Sequence, residues 1–233
     1  VPYISTYNDA TRPDRSGNPN LKPELATGFD VAYEHYLGKS GLLSVSGFIR
    51  NIDDLMRRQT MFNGSRWVST PVNIGNARTS GVELEARFPL TELWPDAPLV
   101  DLRSNYSRFW SRVDGIPGPD NRLDQQPKQT ANLGLDYRPK GLPLTVGGSL
   151  NWTPETLVQT TVNETSTTGT KRQFDLYGLW KLNAMSQLRL SANNLDARVY
   201  ETARSLDTGP LVQSAATTAR TYTQFGIRYE MKL

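Results

Sequence analysis

Cysteine is absent from the 233 residues, and histidine occurs once, as His35. The first absence excludes disulfide frameworks, zinc–thiolate sites and cysteine nucleophiles. The second leaves no imidazole cluster for a metal and little basis for a Ser–His–acid triad. Charge of one sign is also scarce: 26 Lys+Arg against 23 Asp+Glu give a net charge of +3. That field is too weak to mark a nucleic-acid partner. No glycine-rich phosphate loop opens a helix, so no nucleotide cofactor is expected. Taken together, no catalytic residue, resident cofactor or metal ligand is expected.

Long apolar runs are missing too. No segment approaches the roughly 20 apolar residues of a membrane-spanning helix, and the mean hydropathy is −0.52. This excludes transmembrane helices but not a β-barrel, whose strands alternate lipid-facing apolar residues with lumen-facing polar ones. The first residues, Val1-Pro2-Tyr3-Ile4-Ser5, carry neither an initiator Met nor a basic or apolar leader, as expected of a processed chain or a fragment. Glycine (18) and proline (15) stay well below a low-complexity composition, so the chain is expected to fold.

What is present is a period of two. Leu25, Thr27, Phe29, Val31, Tyr33, His35 and Leu37 alternate with Ala26, Gly28, Asp30, Ala32, Glu34 and Tyr36, which predicts a strand with two unlike faces. After Gly38-Lys39-Ser40-Gly41 the apolar set resumes at Leu43, Val45, Gly47 and Ile49, as in a hairpin. The same alternation returns around Val82–Phe88, Val100–Trp110, Ala131–Tyr137, Leu144–Trp152, Phe174–Trp180 and Leu188–Ala192. A last strand would present Thr223, Phe225, Ile227, Tyr229, Met231 and Leu233 outward. About nine strands and no amphipathic helix make the class all-β and antiparallel.

Connection lengths alternate. Short joins fall near Gly38–Gly41, Pro139–Leu142 and Asn183–Ser186, with Pro89–Leu99 somewhat longer; long ones span about Gln59–Val72, Asp114–Pro127, Pro154–Lys171 and Arg198–Ala219. Such alternation puts every long loop at one end of the sheet, the asymmetry of a transmembrane barrel with short periplasmic turns. Tyr33, Phe88, Tyr137, Trp180 and Tyr229 lie toward the short-turn end of the apolar face, as in an interfacial girdle. Trp152, Phe174 and Trp110 would mark the opposite interface. An odd strand number does not suit closure, so the chain is read as the C-terminal portion of a larger barrel.

Several strings then resemble TonB-dependent outer-membrane receptors. They are Gly17-Asn18-Pro19-Asn20-Leu21-Lys22-Pro23-Glu24, Asn73-Ile74-Gly75-Asn76-Ala77 followed by Gly81-Val82-Glu83-Leu84-Glu85, Ser191-Ala192-Asn193-Asn194-Leu195, and the terminal Phe225-Gly226-Ile227-Arg228-Tyr229-Glu230-Met231-Lys232-Leu233. The resemblance implies one segment, residues 1–233, of a barrel of about 22 strands in the outer membrane of a Gram-negative bacterium. It implies contact with outer-membrane lipid, import of a scarce nutrient past an N-terminal plug, and energy from a TonB complex acting through that plug, which has no counterpart in this sequence. It also implies a terminal strand read by the barrel-assembly machinery. That signal usually ends in Phe, whereas this chain ends in Leu233. Ferric siderophores are the commonest ligand class implied, with cobalamin, haem, other chelates and saccharides as alternatives.

Candidate residues follow from position. Arg57, Arg58, Arg66, Trp67, Trp110, Arg112, Tyr200 and Arg204 fall toward the long-loop end, where arginine and aromatics suit an anionic or aromatic ligand. Glu83, Glu85, Arg87 and Arg228 fall on the polar face, toward the lumen and a plug. Glu83 and Glu85 also share a face as a glycosidase pair would, but their string has a structural place in the resembled family. The Thr-rich stretch 160–170 reads as a mobile external loop. A porin-like or enzymatic barrel, and a soluble β-sandwich whose apolar face is a core, are the alternatives.

Overall fold

The computed structural model describes residues 2–232. Leu233, expected to end the last outward row, lies outside the described residues. The chain runs through a two-residue β1 (Asp14–Arg15), then β2 (Leu25–Leu37), β3 (Gly41–Asp53), β4 (Met56–Phe62), β5 (Trp67–Asn73) and β6 (Ala77–Pro89). A 3₁₀ turn at Leu90–Glu92 leads to β7 (Val100–Val113), β8 (Gln129–Tyr137), β9 (Leu144–Thr153), β10 (Thr156–Thr161) and β11 (Glu164–Thr168). Then come β12 (Lys171–Lys181), β13 (Ser186–Asn193), β14 (Val199–Asp207), β15 (Val212–Arg220) and β16 (Gln224–Met231).

Nine strands form one sheet in the order β2-β3-β6-β7-β8-β9-β12-β13-β16. Every pairing in it is antiparallel. The β2 alternation begins two residues beyond Pro23 and stops at Gly38, whose φ of +52° turns the chain into β3. Register then aligns the apolar sets of separate strands into rows. Tyr33 pairs with Val45, Val45 with Leu84 and Leu84 with Tyr106; Trp180 pairs with Leu188 and Leu188 with Tyr229. Because the side-chain period is two, one aligned pair fixes the face of the whole strand. Tyr33, Phe88, Tyr137, Trp180 and Tyr229 therefore share the outer face, and His35 lies on it as well.

That face separates the barrel from the sandwich. Phe29 is 68% exposed and Ile227 79% exposed, whereas a sandwich would bury such residues between its layers. A continuous apolar sheet face of this extent has lipid as its solvent. No helix among the described residues is long and apolar enough to cross a membrane, so crossing is by strands.

Short turns link β2 to β3, β6 to β7, β8 to β9 and β12 to β13 at one end, and the long connections gather at the other. These long connections are folded. β1, β5 and β4 form a three-stranded sheet, and β10, β11, β14 and β15 a four-stranded one. The stretch 160–170, expected as an irregular mobile loop, is a β10–β11 hairpin with Thr161 and Glu164 buried. Its threonines share both faces of the ladder, and the two apolar residues of β10, Leu157 and Val158, point to opposite faces, so no apolar period announces the strands. Left-handed residues mark where the membrane sheet gives way to these hairpins: Asp54 (φ 54°) after β3, Gly75 (φ 127°) before β6 and Asn194 (φ 56°) after β13. A small core of Leu55, Ala77, Val113 and Ile116 sits at this level, with Ile52, Ile74 and Leu123 packed against it.

Candidate functional site

At the long-loop end the hairpins enclose a cavity of about 1000 Å³. Thr153 and Lys171, a cross-strand pair on the inner face of β9 and β12, line it and join it to the lumen. Six cations reach it, Arg12, Arg15, Arg57, Arg58, Lys171 and Arg204, against two lining carboxylates, Asp124 and Glu164, and Arg12 is also paired with Asp9. The excess is positive, which favours an anion.

Most of the arginines singled out from sequence are held by protein groups. Arg57 on β4 has a side chain 3% exposed. It donates to the carbonyls of Gln159 (3.3 Å), Thr160 (2.7 Å) and Arg122 (2.5 Å), and its Nε lies 3.0 Å from Asp124. Burial lowers the pKa of this guanidinium, while Asp124 and Glu164 oppose the change. Arginine remains charged at any physiological pH, so three carbonyls and a carboxylate solvate a permanent cation that ties the β4 hairpin to the β10–β11 hairpin and the 114–123 loop. Arg204 on β14 makes a two-point contact with Glu164 and donates to Thr60 Oγ1 at 3.0 Å. Arg58 donates to the Ser69 carbonyl and to Ser69 Oγ, the latter at 3.1 Å.

Arg66 and Trp67 anchor the N-terminal segment instead of the cavity. Arg66 donates to Asp14 (2.5 and 2.9 Å) and to the Ser5 carbonyl (2.7 Å). This contact and the Ser5 amide hold the Asp14 carboxyl well below the ordinary range. The Trp67 amide donates to Asn8 Oδ1 at 2.6 Å, and its ring lies 5.4 Å from that of Phe62. Tyr200 donates its hydroxyl to the Arg172 carbonyl at 2.7 Å. Trp110 and Arg112 stand away from the cavity: their register with Ser80 and Arg78 continues the outer row that includes Val82 and Leu84.

The cavity therefore gathers Arg57, Arg58 and Arg204 from the expected set and leaves out Arg66, Trp67, Trp110, Arg112 and Tyr200. Arg15 and Lys171, missed by sequence reasoning, line it with no ion-pair partner among the described residues. Lys171 was legible as an extension of the inner set Gln173 and Asp175 by one more alternation. Arg15 carried no signal, because β1 joins β5 in a two-residue parallel pairing.

Below the cavity the inner face carries mixed charge. Arg103 meets Asp136 at 2.6 Å, the Tyr177 hydroxyl donates to Asp136 at 2.5 Å, and the Arg189 guanidinium lies 4.3 Å over the Tyr177 ring. Glu83, Glu85, Arg87 and Arg228 all belong to this face by register. Glu83 lies between Ser46 and Ser107, Glu85 between Ser44 and Asn105, and Arg228 is 4.0 Å from Glu230.

The family model described as "TonB dependent receptor-like, beta-barrel" matches residues 2–195. The chain belongs to the TonB-dependent receptor family. It is accordingly a segment of an outer-membrane β-barrel of a Gram-negative bacterium, in a family of transport receptors. Vitamin B12 transporter BtuB of Vibrio vulnificus is 39% identical over 83 residues, covering 36% of this chain and 13% of that protein. The iron-regulated outer membrane virulence protein of Vibrio cholerae is 27% identical over 131 residues, covering 52% and 19%. Among solved structures, the copper transporter OprC superposes with a TM-score of 0.66 at 18% identity, covering 91% of this chain and 33% of OprC. The ferric yersiniabactin uptake receptor FyuA of Yersinia pestis gives 0.61 at 17% identity, covering 89% and 30%. The chain thus spans about a third or less of the proteins it matches.

Proposed function

We propose that this chain, residues 1–233, is the C-terminal part of the barrel of a receptor that captures a scarce external nutrient and admits it to the periplasm. In this reading the inner-face charges, Glu83, Glu85, Arg87 and Arg228 among them, meet a plug domain. A TonB complex supplies the energy through that plug, and the C-terminal strand is what the barrel-assembly machinery reads.

The ligand we favour is a ferric siderophore, and the observation that carries this is the cavity's charge. Of its six cations, Arg12, Arg57 and Arg204 are paired to Asp9, Asp124 and Glu164, and Arg15, Arg58 and Lys171, without an ion-pair partner among the described residues, suit a compact anionic chelate. Arg15 and Lys171 are the side chains we assign to it, while Arg57, Arg58 and Arg204 shape the walls. Cobalamin is the second reading, favoured by the relatives named as vitamin B12 transporters.

The test is equilibrium binding to the purified receptor that carries this chain, read by tryptophan quenching. The probes are a ferric catecholate, a ferric hydroxamate and cyanocobalamin. Saturable binding of a ferric chelate, weakened by Lys171→Gln and by added salt, supports the siderophore reading. Binding of cyanocobalamin alone replaces it with the second. Failure of all three probes, in a receptor that assembles, overturns both.

A further inference from the structure

The outer face carries a group of arginines where a lipid-facing sheet ordinarily carries none. In register, Arg78 of β6 pairs directly with Arg112 of β7, Ser80 with Trp110, and Val82 with Arg108. All belong to the row that continues through Leu84 and Tyr106, hence to the lipid side. Two like charges placed opposite each other repel and destabilise the pairing. Arg78 has no ion-pair partner among the described residues. Arg112 has Asp114 at 3.8 Å, with both side chains largely exposed. Such a contact contributes little, so the repulsion is not relieved within the chain.

Depth says what relieves it. Ten residues separate Phe88, near the short-turn end, from Arg78. At about 3.3 Å per residue and a tilt of about 40°, that is roughly 25 Å along the membrane normal, the height of an outward apolar band. Arg78 and Arg112 therefore stand at the headgroup level of the external leaflet. Arg108 starts lower, opposite Val82, and its guanidinium reaches the Trp110 ring (5.8 Å) and Gln129 Oε1 (3.0 Å). This is a long cationic side chain extending toward the interface, with tryptophan at the level such rings prefer.

We propose that this outer patch of β6 and β7 binds a phosphorylated lipid headgroup of the external leaflet, with one phosphate seated between Arg78 and Arg112. Two guanidinium forks around one phosphate turn the repulsion into paired charge-assisted bonds. Arg108 and Trp110 hold the headgroup side of the same lipid. The site lies on the opposite face of the sheet from the nutrient cavity and is independent of which nutrient is carried.

The experiment uses the assembled receptor, extracted in mild detergent and stripped of lipid, with bound lipid counted by native mass spectrometry. The probes are bisphosphorylated lipid A, the same lipid A with its phosphates removed, and inorganic phosphate. Wild-type receptor is expected to retain bisphosphorylated lipid A and not the dephosphorylated form, and excess inorganic phosphate should not displace it. The Arg78→Gln/Arg112→Gln double variant should bind about tenfold more weakly or worse, and Arg78→Lys/Arg112→Lys should fall between, because lysine keeps charge but loses the fork. Lys140→Gln, in the exposed β8–β9 turn at the opposite end of the sheet, should bind as wild type. Three results would overturn the proposal: equal retention of both lipid A forms, displacement by inorganic phosphate, or an equal loss in Lys140→Gln. Since the wild-type comparison alone decides the first two, a double variant that fails to assemble does not rescue the idea.

Discussion

Arg204 and Glu164 sit on neighbouring strands of the outer hairpin sheet and meet at two points, Nε to Oε1 at 2.5 Å and Nη2 to Oε2 at 2.8 Å. The Glu164 side chain is only 7% exposed, so its charge depends on this partner. Arg204→Ala is expected to cost about 1–3 kcal/mol of local stability by stranding the carboxylate. Glu164→Gln/Arg204→Met, which removes both charges, should cost less. Hydrogen exchange across β10 and β11 measures both, and equal exchange in wild type and Arg204→Ala would refute the assignment.

Arg57 tests whether the hairpins act as one body. Arg57→Met leaves the carbonyls of Thr160 and Arg122 without their donor, an expected loss of roughly 2–4 kcal/mol at this junction. Ligand affinity should fall with it, although Arg57 is assigned to the wall. Protease nicking within both 56–73 and 114–128 would show joint loosening. Nicking confined to one of them would contradict the coupling.

The Asp14–Arg66 contact gives a pH dependence with a definite sign. Its carboxyl is held below the ordinary range, chiefly by the Arg66 hydrogen bonds and then by the Ser5 amide. A depressed folded-state pKa contributes stability that is fully present above the ordinary carboxyl value of about 3.9 and is lost as pH falls toward the depressed one. Anchoring of the N-terminal segment should therefore be constant from neutral pH to about pH 5 and weaken below about pH 4. Asp14→Asn should remove that acid limb. An unchanged acid profile in the variant would show that Asp14 is not its source.

Gly81 lies between two rings on the inner face. It pairs with Phe48 on one side and Phe109 on the other. A Cβ there would meet Phe48 at 2.5 Å and Phe109 at 2.8 Å. Gly81→Ala should thus cost about 1–3 kcal/mol through displaced rings and lower the heat-modifiable, assembled fraction on gels. Gly178→Ala, with open space around its Cβ position, is the matched control.

The membrane sheet was legible because lipid enforces a strict alternation. The expected strand Leu25–Leu37 is the observed one, and the nine-strand count holds for the sheet that faces lipid. The upper hairpins were not legible, because Thr156–Thr161 puts its two apolar residues, Leu157 and Val158, on opposite faces and Glu164–Thr168 has none, which leaves no period to read. Of the eight residues expected at a ligand, Arg57, Arg58 and Arg204 line the cavity and five do not. Sequence could not distinguish a guanidinium turned onto carbonyls, as in Arg57, from one left facing the cavity, as in Arg15, because tertiary contacts more than 60 residues apart decide it. Trp110 and Arg112 were assigned to a ligand by height along the strand, but the alternation that puts Trp110 on the apolar face carries Arg112 there too, and register confirms it.

The left-handed joints at Asp54, Gly75 and Asn194 let the upper hairpins pair among themselves instead of prolonging the membrane sheet. If the cavity takes the cargo as proposed, cargo preference and membrane fit are written in separable parts of one chain. A graft of one hairpin alone would carry Arg57 or Arg204 away from its partners. The transplantable unit is the β4–β5 hairpin, the 114–128 loop and the β10–β11 and β14–β15 hairpins moved together, and a receptor rebuilt that way should keep its place in the membrane while changing what it takes up.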